Sequence, residues 1–279
     1  MKKIKPKYPV YIVSKGRWEK RRTVRCLDKF KMPYKIVVEP QEFDKYSEVI
    51  DSDKIITLPF KNLGKGSIPA RNFIWKHAAE SGSKKHWILD DNIHWFYRFN
   101  RNLKAPVSSG TIFRIAEIFI DRYENIAISG FNYFKFVKNK YYKTPYKLNT
   151  RVYSCMLIDN SLPIRWRGKY NEDTDLCLRV LKLGYVTLLF NAFICDKQNS
   201  MKDKGGNTES LYQIKDGRLK MAESLVQQHP EISTITKKFN RYQHQVNYNV
   251  FKKNKLKRKN IFIPDKVNNY GMKLIEYKK

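Results

Sequence analysis

The sequence predicts an α/β fold built on a mixed, mostly parallel central sheet. Short apolar segments with strand character alternate with segments whose apolar residues recur every three or four positions. Strands that alternate with helices at this spacing are typical of parallel βαβ units. No internal repeat interrupts the alternation.

The first half of the chain contains four predicted strands and two predicted helices. The helix after the first strand has one apolar face, made of Thr23, Cys26, Leu27 and Phe30. A second helix, from about residue 70 to 80, follows a loop that contains glycine and proline. The strands are predicted at 10–13, 35–38, 55–58 and 86–89.

The second half continues the pattern less regularly. One helix is predicted over 111–124, and another begins near Glu172 and ends before Gly184, a typical helix C-cap residue. Residues 131–151 are predicted to be irregular or a hairpin. Further strands are predicted at 126–128, 152–158 and 185–190. We assign residues 1–205 to the main domain and residues 206–279 to a basic, largely helical extension.

The charge of the chain indicates a polyanionic partner. Its 279 residues include 56 Lys and Arg against 26 Asp and Glu, a net charge of +30. Nucleic acid is the simplest partner for such a surface, and a coding bias towards lysine is the alternative explanation. Aromatic residues make up 14%, which excludes a disordered basic tail.

No apolar run approaches the ~18 residues of a membrane span, and no signal-peptide core follows the N-terminus. The four cysteines are widely spaced, which predicts buried free thiols rather than a zinc site or disulfides. We therefore expect a cytoplasmic protein without a membrane partner.

The strongest local signal is His86–Asn92, in which an apolar strand ends in Asp90, Asp91 and Asn92. Ligands of open α/β sheets bind at the carboxyl ends of the strands. Oxygen ligands suit Mg²⁺ or Mn²⁺, so this pattern is compatible with a metal site. Taken alone, an ordinary Asp-Asn turn after a strand is the plainer explanation.

The second signal is the acidic segment Asn171–Asp175. Here Asn171 suits an N-cap, and Asp175 is spaced to pair with Arg179 on a helix. A well-formed helix start alone would explain these residues. The functional interpretation makes Asp173 a general base, although a helix N-terminus lowers an aspartate pKa and weakens it as a base.

Two loops form the third signal. One is Ser14-Lys15-Gly16-Arg17 after the first strand, and the other is Pro69-Ala70-Arg71-Asn72 at a helix start. Loop amides, helix N-termini and arginine suit a diphosphate, whereas solvated turns are the plainer explanation. Neither loop matches a Walker or Rossmann glycine pattern.

Together, and in this order, the motifs resemble those of GT-A nucleotide-sugar glycosyltransferases. More closely, the chain resembles the TET-associated glycosyltransferase family over about residues 8–205. The resemblance rests on Tyr11–Arg17, Ile68–Asn72, Ile88–Asn92 and Asn171–Asp175. It implies a GT-A fold, a Rossmann-like sandwich, and transfer of a sugar to hydroxymethylated cytosine in DNA.

The resemblance also implies residue roles. The implied donor-binding residues are Ser14, Lys15, Arg17, Glu39, Arg71, Asn72 and Asp90. The implied ligands of a divalent cation, Mn²⁺ or Mg²⁺, are Asp90, Asp91 and Asn92. The implied catalytic residues, on the acceptor side, are Glu172 and Asp173. The implied donor is UDP-glucose or UDP-N-acetylglucosamine. In many GT-A enzymes a histidine late in the sequence also binds the metal. Since no histidine lies between residues 95 and 228, Asp196 is the implied substitute for that ligand.

Two basic segments are candidate DNA contacts. Residues 134–151 combine six basic residues with aromatic ones and contain no acid, and residues 252–259 contain six basic residues in eight. Phosphate contact with base stacking suits the first segment, and a packed hairpin with solvated lysines explains it as well. The predicted contacts are Lys135, Lys138, Lys140, Tyr141, Tyr142, Lys143, Lys252, Lys253, Lys255, Lys257 and Arg258.

Three other classes remain open at this point. A metal-dependent nuclease or nucleotidyltransferase would need several converging carboxylates. A non-enzymatic DNA-binding protein would need none of the acidic motifs. A GT-A enzyme with a protein or glycan acceptor would keep the donor motifs and change the partner.

Overall fold

One ten-stranded sheet organises the molecule, with helices packed on both of its faces. The structure is a computed structural model that describes residues 4–138, 144–197, 217–238 and 240–259. The strands are β1 (Val10–Val13), β2 (Lys35–Val38), β3 (Ile55–Thr57), β4 (Lys85–Asp90), β5 (Ile93–Asn100), β6 (Leu103–Pro106), β7 (Ile126–Tyr133), β8 (Tyr146–Leu148), β9 (Cys155–Asp159), β10 (Val186–Lys197), β11 (Ser233–Lys238) and β12 (Arg241–Val246).

Six α-helices lie within the described residues. They are α1 (Arg22–Lys29), α2 (Phe43–Ser47), α3 (Ile68–Glu80), α4 (Thr111–Ile120), α5 (Glu172–Lys182) and α6 (Gly217–Gln228). The predicted helix end at Gly184 is confirmed, because this residue has a φ of +85° and its amide donates to the carbonyl of Leu181.

The main sheet has the order β3-β2-β1-β4-β9-β7-β10-β5-β6, with β8 added beside β10. The pairs from β3 to β4 are all parallel, so the carboxyl ends of β1, β2 and β4 lie at one edge. Strand β9 runs antiparallel to both of its neighbours, which makes the sheet mixed. The predicted α/β fold class is confirmed.

Successive side chains along the strands point to opposite faces of the sheet, and they pack into two hydrophobic cores. On β4, Trp87 and Leu89 face the layer that holds α1 and α4, whereas Ile88 faces the layer that holds α3 and α5. All three side chains are at most 2% exposed. Side chains of successive strand residues point to opposite faces, so a fully buried strand reads as a continuous apolar run.

The β5–β6 hairpin was not predicted. Its turn residues, Arg101 and Asn102, have φ values of 48° and 63°, which is the left-handed conformation of a type I′ turn. Such turns usually contain glycine, and this one contains none. The strand predicted at 152–158 begins only at Cys155, because Ser154 also adopts a positive φ of 59°.

The described part of the C-terminal extension combines a helix with a hairpin. Helix α6 packs through Leu225 against Leu178 and Leu181 of α5, and β11 pairs with β12. The prediction of a largely helical extension is therefore wrong for 233–246. The predicted boundary near residue 205 lies outside the described residues.

The four cysteines are all buried and free, as predicted. Within the described ranges, no helix is both long and apolar enough to cross a bilayer.

Candidate active site

The carboxyl ends of β1 and β4 bring the first predicted cluster together. The hydroxyl of Ser14 donates to Oδ2 of Asp91 at 2.8 Å, and the guanidinium of Arg17 pairs with Oδ1. The carboxyl of Asp91 is 7% exposed, and this burial raises its pKa above the ordinary value. Asp91 is thus held from two sides by the loop after β1.

Asp90, the last residue of β4, has two cationic partners. Arg71 donates to Oδ1 at 3.0 Å, whereas Oδ2 accepts from Lys197 at 2.5 Å and from Ser154 at 2.6 Å. Burial acts to raise the pKa of this carboxyl, but the charges of Lys197 and Arg71 outweigh it and hold the pKa well below the ordinary value. Asp90 therefore stays ionised.

Arg71 of α3 joins the ends of β4 and α5. Besides the bond to Asp90, it donates to Oδ1 of Asp173 at 3.1 Å, and its guanidinium carbon lies 4.7 Å from the ring centroid of Trp166. Its side chain is only 6% exposed. A buried guanidinium offers donors in a fixed fork, so this one residue sets the separation of the two carboxyls.

Asp173 lies in the first turn of α5, as predicted, and has a pKa of about 7. Burial raises it most, the nearby carboxylates of Glu172 and Asp90 raise it further, and the charge of Arg71 opposes them. The expectation of a lowered pKa is wrong here, because desolvation outweighs the helix N-terminus. A carboxyl with this pKa suits general base catalysis near neutral pH.

Other residues of the same segment have structural partners. Asp175 is completely buried and pairs with Arg179, as predicted, and also with Arg167 and His229. Asn171 occupies the N-cap position but makes no capping bond, since its amide donates to the carbonyl of Met221 in α6. The start of α5 therefore holds the C-terminal extension, through Asn171 and Asp175, and also carries the candidate base Asp173.

Glu172 accepts a hydrogen bond from the hydroxyl of Ser67 at 3.2 Å. Ser67 also accepts from Nε of Arg71 at 3.1 Å. This serine, which precedes α3, joins Glu172 to the Arg71 cluster.

A second, more exposed cluster lies at the ends of β1 and β2. The ammonium of Lys15 donates to both oxygens of Glu39, at 2.8 and 2.9 Å, and to the side chain of Asn62. Burial acts to raise the pKa of Glu39, but the bonds from Lys15 and Gln41 outweigh it and lower the pKa. Lys15 and Glu39 thus lie together at the same sheet edge as Asp91.

Asn72, near the start of α3, bonds the backbone of a neighbouring loop. Its amide nitrogen donates to the carbonyl of Trp166, and its oxygen accepts from the amide of that residue, both at 3.0 Å. With both of its polar side-chain atoms bonded to backbone, Asn72 fixes the loop that carries Trp166. Its predicted donor-binding role stays a prediction.

The described residues do not fit the predicted divalent cation. The oxygens of Asp90 and Asp91 already face Lys197, Arg71 and Arg17, and a metal would have to displace or approach these cations. Asn92 offers one ligand, because its buried Oδ1 has no hydrogen-bond partner among the described residues. Within the described ranges, no three acidic, histidine or cysteine side chains converge as a metal site.

Three residues of the site were missed by sequence reasoning. Tyr46 is fully buried and its hydroxyl contacts Ser14 and the amide of Arg17. Ser154 and Lys197 complete the surroundings of Asp90. Of these three residues, only Lys197 is next to a predicted site residue, because it directly follows Asp196, the predicted late metal ligand. The side chain that reaches Asp90 is that of Lys197.

A cavity of about 550 Å³ adjoins the cluster. The hydroxyl of Tyr133 bonds Ser154 at 2.6 Å, that of Tyr153 bonds Thr174 at 2.9 Å, and both tyrosines line the cavity. The hairpin β11–β12 supplies part of the opposite wall. The lining includes the basic residues Lys135, Lys138, Lys147, Arg151 and Lys238, and no acidic side chain belongs to the described lining.

The remaining predicted DNA contacts fall into two groups. Lys140, Tyr141, Tyr142 and Lys143 lie outside the described residues. The second basic segment runs along the main domain, where the amide of Lys257 bonds Oδ1 of Asn125 and that of Lys259 bonds the carbonyl of Arg122. Exposed side chains of this segment are the predicted contacts Lys252, Lys253, Lys255, Lys257 and Arg258, and also Lys259.

The model of the TET-associated glycosyltransferase family matches residues 8–206, well over half of the chain. The chain belongs to the TET-associated glycosyltransferase family. The match spans every strand and helix that contributes to the Asp90–Asp173 cluster, and it confirms the resemblance to this family. As a TET-associated glycosyltransferase, the protein is an enzyme that transfers a sugar.

Two further comparisons add little to this assignment. A crystal structure from Desulfovibrio desulfuricans G20, assigned as a nucleotide-diphospho-sugar transferase, aligns with a TM-score of 0.39 at 10% identity, over 66% of this chain and 80% of that chain. At that TM-score the likeness carries no weight beyond the family match. No curated protein matches the sequence.

Proposed function

We propose that this glycosyltransferase moves a sugar from a UDP-linked donor, UDP-glucose or UDP-N-acetylglucosamine, to the hydroxyl of 5-hydroxymethylcytosine in DNA. The observation that carries the proposal is the basic, aromatic cavity beside Asp173. The family name supports the same acceptor, since TET enzymes oxidise 5-methylcytosine to the hydroxymethyl base.

The size and charge of the cavity suit a nucleotide. Ligand pockets typically measure about 300–1,000 Å³, and this one, at about 550 Å³, has room for one base with its sugar. Lys147 and Arg151 line it with other cations, which suits the phosphates on either side of such a nucleotide. The half-exposed ring of Phe136 offers a surface for stacking.

To enter the cavity, the target base has to leave the DNA double helix. A base inside a duplex cannot present its 5-substituent to a buried carboxyl, so enzymes that act on bases extrude them or use single strands. Tyr133 and Tyr153 lie between the cavity and the carboxyl cluster, with ring centroids 6.2 Å apart. We propose that the hydroxymethyl group passes beside these rings towards Asp173.

The donor belongs on the other side of Arg71. The loops after β1 and β2, with Lys15 and Glu39, lie at the carboxyl ends of parallel strands, where nucleotides bind in α/β sheets. A carboxylate beside a lysine suits the polar groups of uracil and ribose. This arrangement supports a nucleotide at the β1–β2 edge and its diphosphate near Arg17 and Arg71.

In the proposed reaction, Asp173 accepts the proton of the hydroxymethyl group. The acceptor oxygen then bonds to C1 of the sugar while the bond from C1 to the diphosphate breaks. A direct displacement of this kind inverts the anomeric configuration. Arg71 holds Asp173 in position and keeps part of it ionised.

The proposal is tested by the mass of nucleosides released from DNA after incubation with the full-length protein and UDP-sugars. Three duplexes of one sequence carry cytosine, 5-methylcytosine or 5-hydroxymethylcytosine. We expect a hexose or N-acetylhexosamine increment on the hydroxymethylated base alone, and its loss in Asp173→Asn.

Two controls separate the alternatives. Phe136→Ala should reduce transfer to DNA about tenfold, the size of a lost stacking contact, without changing hydrolysis of the donor by water. Donor hydrolysis without any DNA product would refute the acceptor and favour a protein or glycan instead. DNA cleavage without a sugar donor would favour a nuclease.

A further inference from the structure

We propose that Lys197, together with Arg71, replaces a divalent cation at the donor diphosphate, so that transfer proceeds without metal. This inference rests on the proposed donor site and goes beyond it, because it names the group that stabilises the leaving diphosphate.

The position of Lys197 is the first argument. The residue ends β10, directly after a register shift between Asp196 and Lys197 in the pairing with β5. Its ammonium reaches Asp90, at the end of β4, and Ser154 at 2.5 and 2.7 Å. The strand therefore delivers a cation to the place where the sequence predicted a metal.

The charge state of Lys197 is the second argument. Its side chain is 16% exposed, and although burial acts to lower its pKa, the carboxylate of Asp90 outweighs burial and raises the pKa. Lys197 is thus charged at neutral pH. An ammonium has three N–H groups, and among the described residues its bonds to Asp90 and Ser154 use two of them.

The competition for Asp90 is the third argument. A metal would need the oxygens that Arg71, Lys197 and Ser154 already occupy. The two cations sit on opposite oxygens of one carboxylate, and that carboxylate positions both of them. Asp90 is accordingly a positioning residue for the cations rather than a metal ligand.

The chemistry requires positive charge at this place. When the bond between C1 and the diphosphate breaks, its electron pair remains on the phosphate oxygen, and nearby cations stabilise the charge that develops. The acceptor oxygen bonds to C1 and its proton passes to Asp173. Lys197 keeps its own proton throughout and acts only through its charge and hydrogen bonds.

The first test measures binding rather than turnover. Calorimetry of the full-length protein with UDP, and with ADP, GDP and CDP in parallel, is carried out in EDTA and again in Mn²⁺. We expect the same dissociation constant in both buffers. A tenfold or greater gain in affinity with Mn²⁺ would overturn the inference, as would a failure of every nucleotide to bind.

Variants assign the effect to the side chain. Lys197→Met should weaken nucleotide binding about tenfold to a hundredfold, the range of a charged hydrogen bond, whereas Lys197→Arg should restore most of it. Lys85→Met is the matched control, since it removes another buried lysine–aspartate pair, with Asp159, from the opposite end of β4. It should lower thermal stability similarly and leave nucleotide binding unchanged.

A double variant separates a ligand contact from mere neutralisation of Asp90. If Lys197 only compensates that carboxylate, Asp90→Asn combined with Lys197→Met should regain nucleotide binding, and this result would refute the inference. If DNA receives no sugar but binding remains insensitive to EDTA and dependent on Lys197, the acceptor proposal fails and the inference stands. If transfer to DNA stops in EDTA and returns with Mn²⁺, the acceptor proposal stands and the inference of metal-free transfer fails.

Discussion

The raised pKa of Asp173 predicts that the protein is more stable without this carboxylate above neutral pH. The pKa is about 7 in the folded chain against an ordinary value of 3.8. Below about pH 4 the carboxyl is protonated in both the folded and the unfolded state. Between pH 4 and 7 the unfolded chain ionises first, so the free energy of unfolding falls as the pH rises.

The magnitude follows from the size of the difference. One pH unit of such a difference corresponds to about 1.4 kcal/mol, so the ceiling is about 4 kcal/mol, fully reached above pH 7. Asp173→Asn removes this dependence. We expect the stability of the variant relative to the wild type to rise by about 2–4 kcal/mol between pH 4 and pH 8.

The assay is urea unfolding of both proteins at half-unit pH intervals. Other titrating groups contribute to both curves, so the difference between them isolates Asp173. In parallel, the sugar-transfer rate should fall by about 10²–10⁴ in the variant, and the wild-type rate should rise with pH up to about 7. A stability difference that stays flat from pH 4 to pH 8 would refute the raised pKa and, with it, the role as base.

Three further predictions follow from the same contacts. Arg71→Lys retains the charge but not the fork that holds two carboxyls, so kcat/KM for donor hydrolysis should fall at least about tenfold, and an unchanged value would contradict the linking role. Asp175→Asn removes the buried anion that pairs with Arg179 and with the half-exposed Arg167, and it should cost about 3 kcal/mol in urea unfolding at pH 7, the lower end for a buried pair. Because the pKa of this aspartate is lowered, the cost should shrink as the pH falls through that pKa, the opposite sign to Asp173. Gly130→Ala would place a methyl group 2.1 Å from the carbonyl oxygen of Cys155, so the melting temperature should drop by several degrees, whereas a wild-type value would mean that the β7–β9 contact is looser than described.

Regular elements were predictable because burial leaves a pattern. Strand β4 is apolar throughout its middle and ends in charged residues, and both its bounds and its role could be derived from that contrast. The β5–β6 hairpin shows no such contrast, since β5 mixes aromatic and polar residues without a buried apolar run, much of the pair is partly exposed and the turn lacks glycine. Local sequence predicts a turn poorly when Arg101 and Asn102 adopt glycine-like conformations.

The candidate site shows where sequence reasoning stops. Asp90 and Asp173 were found because acidic residues at a strand end and at a helix start are visible locally. Their properties depend on Arg71 and Lys197, which lie 19 and 107 positions from Asp90. A pKa is decided by such distant partners and by burial, so neither the direction of the pKa shift at Asp173 nor the pairing of Asp90 with two cations was accessible from the sequence.

The described lining of the cavity beside Asp173 comes from two parts of the chain. Residues 131–138, 147–153 and Leu189 lie inside the segment that matches the family model, whereas Lys238 and residues 243–248 lie beyond its end at 206. The proposed donor-side residues, Lys15, Glu39 and Arg71, also lie inside the segment that matches the family model. Under the proposed function, replacement of the β11–β12 hairpin should change what the cavity admits while donor hydrolysis is retained. The acceptor preference would then depend in part on residues outside the family segment, so two members of the family with the same donor site need not share an acceptor.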